Sequence, residues 1–140
     1  MADRITKTHR SWNMSQIRGK DTLPERRVRS ILHRLGYRFR LHGTDLPGKP
    51  DIILPRYRTV ILVHGCFWHR HSGCKYAYVP KSRSKFWQSK FAANVKRDAL
   101  TETELNSSGW RVIVVWECEV KDEPELRERL SMELRAAAQS

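Results

Sequence analysis

The metal-binding chemistry of this 140-residue chain is concentrated in one short segment, Cys66-Phe67-Trp68-His69-Arg70-His71-Ser72-Gly73-Cys74. The remaining cysteine, Cys118, follows an apolar run near the C-terminal end. Thiolate sulfur and imidazole nitrogen are the usual zinc ligands, and a structural site closes four of them tetrahedrally. Cys66, Cys74 and Cys118 with one histidine would form such a set and use every cysteine in the chain. Spacing alone leaves the fourth ligand open between His69 and His71. Three cysteines cannot pair completely, which favours metal ligation or buried thiols over a disulfide framework.

A second group centres on Gly48-Lys49-Pro50-Asp51, which runs into Ile52-Ile53-Leu54 and is followed by the apolar run that ends on His64. A carboxylate opening one strand beside the end of another is where nucleases of the PD-(D/E)XK type place their metal. Taken by itself, a Pro-Asp pair more often marks a turn or a cap. His64 reads equally well as a structural histidine at a strand end. Asn94 and Asp98 lie one turn apart in a helical stretch, fit to orient a histidine, to contact DNA or to form a solvated face.

The elements that must position these residues are punctuated clearly. Thr22 or Asp21 can cap a helix whose first turn holds Pro24 and which Gly36 can end, with Val28, Ile31, Leu32 and Leu35 on one face. Tyr37, Phe39 and Leu41 alternate as in a half-buried strand, and residues 42–50 form a Gly- and Pro-rich loop. Strands are expected at 51–54 and 59–64, separated by a turn, with the later one central in its sheet. Residues 65–80 show no periodicity and should form an irregular functional loop. A long helical region is expected over 84–108, either continuous or broken once, with Phe91 and Val95 facing inward and Gly109 closing it. A buried strand at 110–116 and a helix from Pro124, with Leu126, Leu130 and Leu134 on one face, complete the chain. The order predicts one α/β domain over 21–140 with a mixed central sheet flanked by helices, preceded by a basic arm at 1–20.

Charge narrows the partner. The net charge is +12, distributed as +8 over residues 1–40, +8 over 41–100 and −4 over 101–140. A basic body with an acidic end suits a phosphate backbone, although charge does not distinguish DNA from RNA. No apolar run approaches the ~20 residues that span a bilayer, and the N-terminal region is polar, so a cytoplasmic protein without a membrane partner is expected.

Taken together, the segments 46–51, 63–71 and 109–118 closely resemble the very-short-patch-repair (Vsr) mismatch endonucleases, with Cys66-Phe67-Trp68-His69 as the most specific core. The resemblance runs from about Arg10 to Glu119. It takes in Asn13-Met14-Ser15, Asp21-Thr22 with Glu25, Tyr57-Arg58, Phe86-Trp87, and Asn94-Val95 with Asp98. It implies a restriction-endonuclease-like fold, one structural zinc and magnesium-dependent nicking of one strand at a thymine–guanine mismatch. Asp51 would then be the magnesium ligand together with the backbone carbonyl of Val63, and Glu25 would hold the hydrated ion. His69 would be the general base, with His64 supporting the site. Zinc would take Cys66, His71, Cys74 and Cys118, which frees His69 for catalysis. Phe67, Trp68 and Trp87 would form an aromatic wedge in mismatched DNA, with Asn94 and Asp98 alongside. Where other nucleases of the superfamily carry a second acid and a lysine, this chain has Leu62-Val63-His64.

Nicking one strand suits a monomer, and mismatch-repair proteins are conceivable partners. Two other readings compete. A zinc-stabilised DNA-binding protein without catalysis would leave Glu25, Asp51 and His69 unexplained as a set, and a restriction endonuclease on the same scaffold would normally dimerise to cut both strands.

Overall fold

The computed structural model describes residues 22–43 and 45–138. The basic arm expected at 1–20 lies outside the described residues. The described residues form a four-stranded mixed sheet with three helices, in the order α1 (Leu23–Arg34), β1 (Arg40–Leu41), β2 (Ile52–Leu54), β3 (Thr59–His64), α2 (Ser84–Ser107), β4 (Arg111–Trp116) and α3 (Glu123–Ala138). Short 3-10 turns occupy Pro55–Tyr57 and Glu117–Lys121. Strand order follows chain order: β1, β2 and β3 are antiparallel neighbours, while β4 runs parallel to β3. A parallel neighbour needs a crossover, and α2 supplies it.

The start and end of α1 follow from local chemistry. Thr22 Oγ1 accepts the Glu25 N–H at 3.4 Å, and Pro24 sits in the first turn, where its missing N–H costs nothing. At the far end, Gly36 adopts φ +86° while its N–H donates to the His33 carbonyl and the Tyr37 N–H to that of Leu32. This is the Schellman arrangement, which glycine enters without a Cβ clash. α2 ends in the same way: Gly109 donates to Asn106 and Trp110 to Leu105.

Two apolar layers enclose the sheet. Val28, Ile31 and Leu32 of α1 and Leu126, Leu130 and Leu134 of α3 pack with Ile52, Leu54, Ile61, Ile113 and Val115. On the opposite face, Ile53 and Val60 meet Leu105 of α2. β3 is buried nearly throughout, as an interior strand should be. Glu25 falls on the core face of α1, one turn before Val28, so a carboxylate stands where an apolar residue would continue the stripe.

Several sequence expectations are corrected. α2 runs unbroken over Ser84–Ser107, which settles the open choice there. Val95 is 46% exposed, because only Phe91 and Leu105 of α2 reach a buried layer. Of the alternating run 37–41, only Arg40–Leu41 pairs with β2; Tyr37 and Phe39 still lean on the core. β4 is an edge strand of alternating exposure that begins after Trp110, and Asp51 stands just outside β2. Among the described residues, no helix is long and apolar enough to cross a membrane.

The α1/α3 layer should dominate stability. Leu130 is fully buried and Met132 on the same helix is 62% exposed. Leu130→Ala should cost about 2–5 kcal/mol in chemical denaturation, and Met132→Ala less than about 0.5 kcal/mol. Equal costs would mean that α3 is not seated as described.

Candidate functional site

The antiparallel register of β2 on β3 ends at Ile52 opposite Ile61, and its continuation would bring Pro50 opposite Val63. Proline has no N–H to give the ladder. The Pro50 carbonyl is taken by the Gly43 N–H at 3.0 Å, and the Val63 N–H donates instead to Asp51 Oδ2 at 2.8 Å. N–H and C=O of one strand residue point to the same edge, so the Val63 carbonyl lies on the Asp51 side and receives no donor from Pro50. Interruption of the sheet at Pro50 thus turns a carboxylate and a backbone oxygen to the same edge of β3.

Glu25 and His42 complete this corner: ligand atoms of Glu25, His42 and Asp51 all lie within 4.8 Å of one another. Arg29, one turn along α1, holds Glu25 Oε2 at 3.1 Å. Burial, then the nearby Glu25 carboxylate, push the Asp51 carboxyl up to about 6, against the opposing pull of the Val63 hydrogen bond. Two crowded oxygen donors, one with its charged form disfavoured, suit a hard divalent cation.

A second trio lies along the same cleft. His64, at the end of β3, stacks flat on His69 with ring centroids 3.9 Å apart and planes 4° apart. His69 Nδ1 meets Asp98 Oδ2 of α2 at 2.6 Å. This contact fixes the ring so that Nδ1 faces the carboxylate and Nε2 is the other available nitrogen. Burial, followed by the neighbouring His69, lowers His64 to about 4, so it stays neutral at physiological pH. One turn before Asp98, Asn94 Nδ2 donates to the Trp68 carbonyl at 3.2 Å. Helical spacing therefore turns both α2 side chains onto the loop.

That loop carries a third cluster. Cys66, His71, Cys74 and Cys118 bring one ligand atom each to within 4.8 Å of the others, and all three cysteines are free thiols. His71 Nδ1 is 3.4 Å from Cys118 Sγ and 3.7 Å from Cys66 Sγ. Burial pushes the Cys66 thiol up to about 12, whereas the Tyr76 backbone N–H lowers that of Cys74. The group could hold a metal ion, with His71 and not His69 as its imidazole.

Phe67, Trp68, Trp87 and Phe91 pack together, with Phe67–Trp68 centroids 5.1 Å and Trp68–Trp87 centroids 5.8 Å apart. The first three are only half-buried. Arg70 pins them: its guanidinium lies 3.9 Å from the Phe91 ring centre and donates to the carbonyls of Phe67, Ala77 and Tyr78. Sequence reading missed Arg70, because backbone-carbonyl partners leave no pattern. It also missed His42, which lay in a presumed loop, and the cleft residues Lys49 and Arg97.

Asp51, His64, His69, Asn94, Asp98, Glu25 and Trp68 all border one open cleft of ≈ 810 Å³. An α/β sheet that gathers carboxylates and paired imidazoles in one open cleft, with Arg26, Lys49 and Arg97 on its walls, fits a nuclease-type hydrolase. The family model for DNA mismatch endonuclease Vsr matches residues 2–75. The chain is 52% identical over 130 residues to the type II nicking enzyme V.XorIIP of Xanthomonas oryzae pv. oryzae, covering 93% of this chain and 95% of that one. It is 46% identical to the type II nicking enzyme V.NmeAIP of Neisseria meningitidis, covering 96% of each. It is 44% identical to DNA mismatch endonuclease Vsr of Escherichia coli, covering 90% and 80%. The chain belongs to the DNA mismatch endonuclease Vsr family, and as a member it is a DNA-cutting enzyme.

The two perturbed groups make opposite contributions to pH-dependent stability. Asp51 ionises near 6 when folded against 3.8 ordinarily, so a stability penalty develops as pH rises from about 4 to about 6 and persists above. His64 contributes stability that is fully present above 6.5 and is lost as pH falls through about 4. In magnesium-free buffer at pH 8, Asp51→Asn should raise Tm by on the order of 5 °C, a gap that closes toward pH 4. Calorimetry showing equal Tm values at pH 8 would mean that Asp51 bears no desolvation penalty.

Proposed function

We propose that this enzyme nicks one strand of duplex DNA at a thymine–guanine mismatch by magnesium-dependent phosphodiester hydrolysis, as part of very short patch repair. The observation that carries the reading is the His69–Asp98 pair at 2.6 Å in the same cleft as Asp51. The similarity to two nicking enzymes and a mismatch endonuclease supports it.

Asp51 and the Val63 carbonyl would hold magnesium, with Glu25 binding its hydration water. When bound, the ion supplies electrostatic stabilisation of the charge that develops on the phosphate. His69 takes a proton from the attacking water at Nε2, while Asp98 holds the Nδ1 proton and stabilises the imidazolium that results. Neutral His64, stacked on the ring, restrains its rotation without adding a competing charge. Water adds to phosphorus in line with the departing 3′ oxygen, giving a 5′-phosphate and a 3′-hydroxyl.

Cys66, His71, Cys74 and Cys118 would hold zinc, which supplies a cross-link between the loop and the end of β4. Phe67, Trp68 and Trp87 form the wedge. Separating a base step costs a few kcal/mol, and least at a displaced, weakly stacked pair. One cleft per chain acts on one strand, in keeping with a monomer.

The ions should be separable by mutation, since thiolates select zinc and oxygen donors select magnesium. Asp51→Ala should keep about one zinc per chain and bind mismatched DNA without nicking it, whereas Cys118→Ala should lose zinc and unfold more readily. Zinc loss in Asp51→Ala with none in Cys118→Ala would sink the assignment.

Removal of the base should spare binding. His69→Gln should lower single-turnover nicking by at least about 10²-fold with mismatch affinity little changed. Trp68→Ala should instead lose mismatch preference while keeping fold, zinc and weak binding to matched duplex. An undiminished rate in His69→Gln would transfer the base role to His64, and a broadly unfolded Trp68→Ala would return that ring to the core.

A further inference from the structure

We propose that His42 is a third ligand at the Asp51 corner, making it a mixed nitrogen–oxygen site that takes a transition cation such as manganese(II) through imidazole as well as carboxylate. The inference rests on the reading of Asp51 as the metal ligand and extends it to a residue outside the Vsr-like motif set. Three elements converge there: Glu25 from the first turn of α1, Asp51 before β2 and His42 just after β1, with ligand atoms within 4.8 Å of one another.

The backbone holds His42 in place. Leu41 pairs with Ile52, and the ladder continues as the His42 N–H donates to the Asp51 carbonyl at 3.0 Å. The next residue, Gly43, is buried so tightly that a Cβ would fall 2.0 Å from Ile53 Cδ1. Across the same loop, a Cβ on Gly48 would fall 2.2 Å from Thr101 Cγ2 of α2. The backbone therefore passes close to Ile53 at Gly43 and close to Thr101 at Gly48, and the His42–Asp51 hydrogen bond keeps His42, at φ +51°, beside the carboxylates. Imidazole is a ligand for transition cations, whereas magnesium keeps oxygen donors and water. Manganese(II), the least nitrogen-preferring of the series, is therefore the stringent probe of an imidazole ligand and carries an electron-spin signal. His42 should thus add affinity for manganese(II) and almost none for magnesium.

The competing explanation is that His42 only lies beside the carboxylates as a neighbouring charge. A rival location for the ion is the His64, His69 and Asp98 trio. Manganese(II) binding to the full-length, zinc-loaded protein can be read from the loss of the free-ion electron paramagnetic resonance signal. Ligand nitrogen is read by electron spin-echo modulation, and magnesium affinity by competition. His42→Gln should weaken manganese(II) binding by about tenfold or more, abolish the nitrogen modulation and leave magnesium affinity nearly unchanged. Unchanged manganese(II) affinity and modulation in His42→Gln would overturn the inference and leave the Asp51 site standing. Modulation lost only in His69→Gln would also overturn it, by placing the ion on the other trio. If Asp51→Asn bound both ions as tightly as the parent protein, the reading of Asp51 itself would fail.

Discussion

The hydrogen bond from the Val63 N–H to the Asp51 carboxylate sets the geometry on which the rest of the site depends. It exists because the β2–β3 ladder stops short of Pro50: the Pro50 carbonyl is turned to the Gly43 N–H, so the Asp51 carboxylate accepts the Val63 N–H in its place. The bond draws a carboxylate out of water and toward Glu25. Desolvation outweighs the stabilising bond, as the rise of Asp51 to about 6 records. A corner that disfavours its own ionised state suits a divalent cation, and in the proposed reaction that cation would meet the phosphate.

Parallel pairing of β3 with β4 brings the other groups together. It sets His64 beside Trp116, whose ring meets His64 edge-on at 5.2 Å and stacks on His71 at 4.3 Å. Trp116 thus packs against both the imidazole pair and the cysteine cluster. The loop between them leaves β3 at His64 and turns through Cys66, His69 and His71 within a few residues, and α2 returns over it to fix His69 through Asp98 and the Trp68 backbone through Asn94. The histidine that would act as base and the one that would bind zinc are two residues apart. Loss of order at the cysteine cluster should therefore reach the cleft through the backbone.

Periodicity and capping made much of the frame legible. β3 spans 59–64 as its β-branched run indicates, and Thr22 and Gly36 bound α1 as their side-chain chemistry requires. The family resemblance named the ligand set at the cysteines, and the structure brings those four side chains together. What the sequence hid was specific in origin. Val95 follows the helical repeat of Phe91, yet beyond Phe91 most of α2 faces solvent until Leu105. His42 sits in a Gly- and Pro-rich stretch, where periodicity carries no information about which side chains converge. Arg70 acts on carbonyl oxygens, which every residue possesses, so no pattern of residue types announces it.

The most direct test of the central claim is single-turnover cleavage of end-labelled duplexes by the unmodified enzyme, with magnesium present and after its removal. The panel would hold one thymine–guanine mismatch, each other mismatch and the matched duplex. The account predicts magnesium-dependent nicking of one strand at the thymine–guanine site, with 5′-phosphate and 3′-hydroxyl ends and little cutting of matched DNA. Cutting of both strands of the matched duplex, or nicking that persists without a divalent ion, would contradict it.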